Sequence, residues 1–318
     1  MRVLITGITG FVGSHLAEYY IEKGHEVFGL VRHRSSKDML SNIVDSIKFV
    51  EADLTDTHSV NHAIEQTQPD VIHHLAAQSY VPSSWIRPYE TMQVNLIGTL
   101  NLLEAIRSFS KHTVIQLASS SEVYGNQDTL PITEESLTFP ASPYAVSKLA
   151  MEYLGFQYYL SYGVKTVITR AFNHFGSRRG EQFVESKIAK AVCLSKYGKY
   201  TLKLGNIDNK RDWTDVRDIV RGYAISVEKC EFGKPYNICS GTPRTIRSVI
   251  EDMQSFYKYE TNLDIKFDES ILRPSDVKIL HGNADLFKKT TGWNQEYSWE
   301  QSCNEILDYW DAKTAIHS

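Results

Sequence analysis

The chain opens on a short apolar run, MRVLI, and passes at once into TGITGFVGSH. That junction constrains the fold more than any other stretch. Gly7, Gly10 and Gly13, with Phe11 and Val12 among them, stand between an apparent strand and a helical pattern, GSHLAEYYIEKG, that Gly24 stops. Glycine lets the backbone turn tightly and approach a pyrophosphate closely. The helix N-terminus behind it presents unpaired N–H groups and partial positive charge to the anion. The GxxGxxG spacing is a variant of the dinucleotide fingerprint, and its place between first strand and first helix gives it weight.

The chain beyond Gly24 keeps the same rhythm. EVFGLV, IKFVEADL, DVIHHLAA, TVIQLASS and VKTVITRAFN read as further strands, with helical spacing in SVNHAIEQT and ETMQVNLIGTLNLLEAIRSF. Strands separated by helices imply parallel pairing, so the expected fold class is α/β, a Rossmann-type doubly wound sheet. After residue 173 the rhythm changes, with shorter elements such as YTLKLG and PYNICSG between polar turns. The expected division is a nucleotide-binding domain over 1–172, with strands returning near 214–240, and a smaller, interleaved substrate-binding lobe over 173–318.

Composition excludes several classes. A net charge of −4, with both signs mixed along the chain, leaves no basic face for a nucleic acid and no polybasic membrane tail. No apolar run approaches the length of a span, and no secretory leader is legible, so a cytoplasmic protein is expected. The four cysteines are far apart, without CxxC, which argues against zinc and a disulfide framework; no metal is expected.

Strand two ends in GLVRHRSS. An acidic residue that would hold a ribose 2′-OH is missing there. Arg32 and Arg34 stand instead, with Ser35 and Ser36 after them, and a guanidinium pairs well with a 2′-phosphate. The pattern favours NADP. Asp53, in EADL, is placed either to receive an adenine amino group or to cap the next helix.

SPYAVSK places Tyr144 and Lys148 at i and i+4, on one face of a helix. An ammonium near a phenol stabilises the phenolate, so the expectation is a tyrosine with lowered pKa that exchanges a proton while a nicotinamide exchanges hydride. A serine, Ser120, closes strand five. Two residues on, Glu122 sits in ASSSEVYG, where a carboxylate makes sense only if water or substrate reaches it.

These pieces together resemble the extended short-chain dehydrogenase/reductase family: TGxxGFxG at 6–13, DL at 53–54, LAA at 75–77, NLIGT at 95–99, SSSEVYG at 119–125 and YAVSK at 144–148. Within it, FNHFGSRRGEQFV, LGNIDNKRDW and LRPSDV look like the GDP-mannose 4,6-dehydratases. The resemblance implies a GDP-sugar substrate and an internal hydride transfer through NADP. Tyr144 would take the proton of the sugar 4-OH, Ser120 would bond the same oxygen, and Glu122 would remove the C5 proton and then protonate the departing C6 hydroxyl. Gly7, Gly10, Phe11, Val12, Gly13, Arg32, Arg34, Ser35, Asp53, Leu54, Leu75, Ala76, Ala77, Ser79, His174 and Arg179 would meet the cofactor, as would Tyr144 and Lys148. Ser83, Asn173, Val184, Lys187, Arg211, Arg273 and Asp276 match positions that hold the nucleotide-sugar. His73 and His74 read as packing residues.

Two departures stand out. Serine occupies a position where the family usually has threonine, which keeps the hydroxyl. The segment between Arg34 and Asp53 is shorter than in the subgroup, where that loop often supports a tetramer; a homodimer or homotetramer is expected. Alternative readings are an NADPH-dependent GDP-4-keto-6-deoxymannose reductase, a dehydratase of a related GDP-sugar such as a GDP-heptose, and a cofactor-sensing regulator. The retained Ser120, Tyr144 and Lys148 argue against the last.

Overall fold

The computed structural model describes residues 1–272 and 274–315. Its first half alternates β1 (Arg2–Thr6), α1 (Phe11–Glu22), β2 (Glu26–Val31), β3 (Ile47–Glu51), α2 (Thr57–Thr67), β4 (Val71–His74), α3 (Val81–Ile86), α4 (Pro88–Met92), α5 (Gly98–Phe109), β5 (Val114–Ala118), α6 (Pro143–Tyr162) and β6 (Lys165–Ala171). Shorter elements make up the second half: β7 (Asn173–Phe175), α7 (Val184–Leu194), β8 (Tyr200–Leu204), β9 (Lys210–Asp215), α8 (Val216–Lys229), β10 (Pro235–Ile238), β11 (Pro243–Thr245), α9 (Ile246–Phe256), β12 (Leu263–Phe267), α10 (Asp285–Thr291) and α11 (Trp299–Ala315).

Seven parallel strands form the main sheet in the order β10-β6-β5-β4-β1-β2-β3. Central strands such as β1 and β5 are buried almost throughout, which is why they read as largely apolar runs rather than alternating ones. One face packs Leu4, Ile72, Ile115 and Leu117 against Ile64, Ile106 and Met151 from α2, α5 and α6. The other packs Val3, Ile5 and Val27 against Leu16, Tyr20 and Val220 from α1 and α8. Helix ends obey local chemistry: Ser142 caps α6 by accepting from the Ala145 N–H at 3.1 Å, Pro143 opens the helix, and Gly163 (φ 70°) ends it.

The later half crosses between layers. β10 returns to extend the main sheet beside β6, whereas β9 pairs with β7 and β11 in a three-stranded sheet, and β8 pairs with β12. Phe175, Ile188, Trp213, Ile250, Met253, Ile306 and Trp310 form a separate core there. In the main sheet the strand order reverses between β1 and β4, and ligand crevices in doubly wound sheets open at such a point, beyond the C-terminal strand ends. Among the described residues no helix is long and apolar enough to cross a membrane.

Candidate active site

A cleft of about 1070 Å³ runs across that switch point. Every candidate residue named from the sequence lines it except three: Arg34 and Ser83 lie outside its walls, and Arg273 falls outside the described residues.

The glycine turn forms the floor. Gly7 sits at φ 69°, a left-handed conformation that disfavours other residues, and a Cβ there would come within 2.9 Å of the Ala76 backbone. A Cβ on Gly13 would lie 2.3 Å from the Gly7 carbonyl oxygen. The N-cap, Gly10, offers no side-chain acceptor, and no acidic residue stands in the first turn of α1. A close-packed turn and a helix start without its own capping carboxylate suit an approaching pyrophosphate, so these residues fit a dinucleotide.

Behind the floor, a hydrogen-bond chain locks β1 to β4. Ala76 N–H donates to Thr6 Oγ1 at 3.1 Å, Thr6 contacts His74 Nδ1 at 2.9 Å, and His74 Nε2 contacts Thr99 Oγ1 at 2.9 Å. The Thr99 hydroxyl is committed to the Asn95 carbonyl at 2.6 Å, so His74 donates through Nε2 and accepts through Nδ1. Burial holds His73 down to about 4 and His74 to about 3. Both are structural, neutral imidazoles.

At the β2 edge, the Ser35 N–H donates to the Arg32 carbonyl at 3.1 Å, making a tight turn. Arg32 and Ser35 line the cleft; Arg34 adopts φ 58° inside the turn and leaves it. Asp53 also lines the cleft, and its Oδ1 accepts from the Thr55 N–H at 2.8 Å. It does not cap α2. Asp56 does, accepting from the N–H groups of His58 and Ser59.

The central wall comes from the turn after β5 and from the start of α6. Ser120 Oγ accepts from the Glu122 N–H at 3.2 Å and hydrogen-bonds the Tyr144 phenol. The half-buried Glu122 faces the same cleft, close enough for its charge to act on that phenol. Here one expectation is corrected. Lys148 does not lower the Tyr144 pKa; burial pushes the phenol up to about 12, against the smaller pulls of Ser120 and Arg179. The reason is geometric. Lys148 Nζ donates to the Ala118 carbonyl at 2.7 Å and stands 6.0 Å from the Tyr144 ring centroid, and burial lowers Lys148 itself to about 8.

The opposite wall comes from the second half of the chain. His174 donates through Nδ1 to the Phe172 carbonyl at 2.8 Å, leaving Nε2 to accept from the Tyr223 hydroxyl at 3.1 Å; burial, then the nearby Arg179, hold it down at about 3. Arg179 pairs with the buried Glu185 at 2.8 Å and lies over the Phe183 ring at 3.7 Å. Asn173 presents a buried Oδ1 that has no hydrogen-bond partner among the described residues. Val184 and Lys187 open α7 on the same side. Arg211 is buried on β9, 3.3 Å from Asp276. Sequence reasoning missed Gln78, Glu185, Asn209 and Tyr223, which also line the cleft. Asn209 lies inside a quoted motif, whereas Tyr223 comes from α8, far along the chain and without a local signal.

A glycine turn at the switch point and a Tyr-x-x-x-Lys helix behind a serine-tipped strand make up the build of the short-chain dehydrogenase/reductases. More narrowly, the family model described as GDP-mannose 4,6 dehydratase matches residues 4–306, and the chain belongs to that family. It is 34% identical over 316 positions to the GDP-6-deoxy-D-mannose reductase of Pseudomonas aeruginosa, covering 98% of each chain. To a GDP-mannose 4,6-dehydratase of Vibrio cholerae serotype O1 it is 33% identical over 348 positions, covering 96% of this chain and 92% of that one. Among solved structures, that of RMD from Pseudomonas aeruginosa complexed with NADPH superposes with a TM-score of 0.82 at 31% identity, covering 98% of this chain and 100% of the other.

Proposed function

We propose that the chain is a GDP-mannose 4,6-dehydratase that uses NADP and forms a GDP-4-keto-6-deoxy sugar. The observation that carries this reading is Glu122, two residues beyond Ser120, on the same cleft wall as Tyr144. Oxidation and reduction at a single sugar carbon need only a hydroxyl relay; loss of water between C5 and C6 needs a further group that acts first as base and then as acid. Glu122 fills that role.

When bound, the cofactor supplies a hydride acceptor and donor together with a positively charged ring near the phenol. The chain's residues do the rest. Ser120 and Tyr144 bind the sugar 4-oxygen, and Tyr144 takes its proton. Lys148, cationic below about pH 8, holds the end of β5 through the Ala118 carbonyl and so keeps Ser120 and Tyr144 facing the same oxygen. The resulting ketone acidifies the neighbouring C5 position, from which Glu122 removes a proton that it returns to the leaving 6-hydroxyl; water departs, C6 takes back the hydride that left C4, and C5 takes a solvent-derived proton, which gives the 4-keto-6-deoxy sugar. Arg32 and Ser35 select the 2′-phosphate, and the turn from Gly7 to Gly13 holds the pyrophosphate. Asn173, whose buried acceptor has no partner among the described residues, together with Lys187 and Arg211, holds the GDP-sugar.

A second reading, GDP-4-keto-6-deoxymannose reductase, rests on a specific observation. The chain covers 98% of the reductase, whereas it covers 85–92% of the dehydratases it aligns with, which are longer. Incubation with GDP-mannose and NADP⁺ far below the sugar concentration separates the two. A keto-sugar formed over many turnovers without net NADPH supports the dehydratase. NADPH oxidation that occurs only with the keto-sugar supports the reductase.

A homo-oligomer through α6 is part of this proposal. Val146, Tyr153, Phe156 and Leu160 form an exposed apolar stripe at helical spacing on α6, with Leu160 70% exposed. Sedimentation of the double variant Phe156→Glu/Leu160→Glu tests it: dissociation to monomers is expected, and unchanged mass argues for another interface.

A further inference from the structure

Behind the catalytic wall, and outside the cleft, lies an ion pair between Glu152 and Arg170, 5% and 8% exposed. Its geometry is a double fork: Arg170 Nη2 to Glu152 Oε2 at 2.6 Å, with Nε 3.0 and 3.1 Å from the two carboxylate oxygens. A buried pair of this kind is weak evidence for stability, since desolvation offsets the Coulomb gain. Its remaining bonds are more informative. Ser119 Oγ donates to Glu152 Oε1. Arg170 Nη1 donates to the Tyr124 hydroxyl at 3.0 Å, and its guanidinium lies 4.9 Å from the Tyr124 ring centroid. The Tyr124 hydroxyl in turn donates to Asn237 Oδ1 at 2.8 Å, on β10.

Ser119 and Tyr124 are the two ends of the turn that carries Ser120 and Glu122. We propose that the Glu152–Arg170 pair is a positioning device that grips both ends of this turn and sets Ser120 and Glu122 against the reacting sugar. The inference rests on the dehydratase reading above. Glu152 lies one helical turn beyond Lys148 and two beyond Tyr144, so one face of α6 carries the phenol, the ammonium and the anchor of the facing turn. Register among α6, β6 and the turn after β5 is thereby transmitted to the atoms that hold the sugar. None of Glu152, Arg170 and Tyr124 lines the cleft, so they act through other residues.

The test removes each grip separately. Ser119→Ala frees one end of the turn, at a position on the cleft wall, and Tyr124→Phe frees the other from outside the cleft; both leave the ion pair, Ser120, Glu122 and Tyr144 in place. Since a misplacement of ~1 Å costs about a hundredfold, kcat for GDP-mannose should fall roughly 10- to 100-fold in each, with KM and the NADPH dissociation constant within about twofold. Tyr158→Phe is the control: it removes a bond from the same helix to Glu104, away from the site, and should lower the melting temperature without changing kcat. If both Ser119→Ala and Tyr124→Phe keep wild-type kcat while melting earlier, the pair is structural only and the proposal is overturned. If the wild-type protein turns over only the keto-sugar with NADPH, the dehydratase reading fails. The same kcat comparison on that reaction, which also uses Ser120 and Tyr144, then decides the proposal.

Discussion

The Lys148 ammonium reaches past Tyr144 and donates to the carbonyl of Ala118, 2.7 Å away. This contact anchors α6 to the end of β5 and keeps a buried cation behind the phenol, where burial lowers the lysine to about 8. Below that pH the ammonium is charged and its bond to the Ala118 carbonyl is charge-assisted; above it that charge is lost, and with it part of the grip that sets Ser120 against Tyr144. The rate should therefore decline on the alkaline side with a midpoint near 8. Lys148→Met should remove that limb and slow the reaction by about 10²–10³, read from a pH–rate profile.

Four histidines with depressed pKa values contribute to the acid limit of the fold. Burial holds His15 and His73 down to about 4, and His74 and His174 to about 3, against an ordinary value of 6.5. The unfolded chain therefore binds these protons first as pH falls. Their contribution is complete above 6.5 and is lost as pH drops toward the folded values, at up to about 1.4 kcal/mol per pH unit for each histidine. In urea titrations between pH 6.5 and 4.5, His73→Gln should show a shallower fall in stability than the unmodified chain; an equal slope contradicts this assignment.

The glycine turn has no room for a methyl group at Gly13. With a Cβ on Gly13 held 2.3 Å from the Gly7 carbonyl oxygen and 2.7 Å from Ile8 Cα, Gly13→Ala must displace the turn itself. NADPH affinity should fall at least about tenfold, since overpacking against backbone costs ~1–3 kcal/mol and shifts the groups that meet the pyrophosphate. Fluorescence titration measures it.

The two arginines after β2 should behave differently. Arg32 lines the cleft and Arg34 does not. A charge-assisted bond is worth ~1.5–3 kcal/mol, so Arg32→Ala should cut the preference for NADPH over NADH by about 10- to 100-fold. Arg34→Ala should leave it within about twofold. Paired titrations with the two cofactors check both.

Much of the fold and site was legible in the sequence because it is local. Six strands of the main sheet announce themselves as buried apolar runs, the glycine turn sits directly after the first, and Tyr144 and Lys148 are one helical turn apart. What escaped depends on tertiary structure. The lysine's true partner is a carbonyl thirty positions away, on another element. Glu152 and Arg170 meet only once α6 has packed on β6, and Tyr223 reaches the cleft from α8. Arg34 and Ser35 are neighbours in the chain, yet a left-handed residue in the turn sends one out of the cleft and the other into it. Asp53 and Asp56 are both plausible helix caps by residue type; only the backbone direction chooses Asp56.

The most direct test of the account is GDP-mannose turnover in deuterium oxide by the unmodified chain and by Glu122→Gln. The account predicts a 6-deoxy-4-keto product bearing one solvent deuterium at C5 from the unmodified chain, and formation slowed by about 10²–10⁴ in the variant. Equal rates and equal label in the two proteins would contradict it.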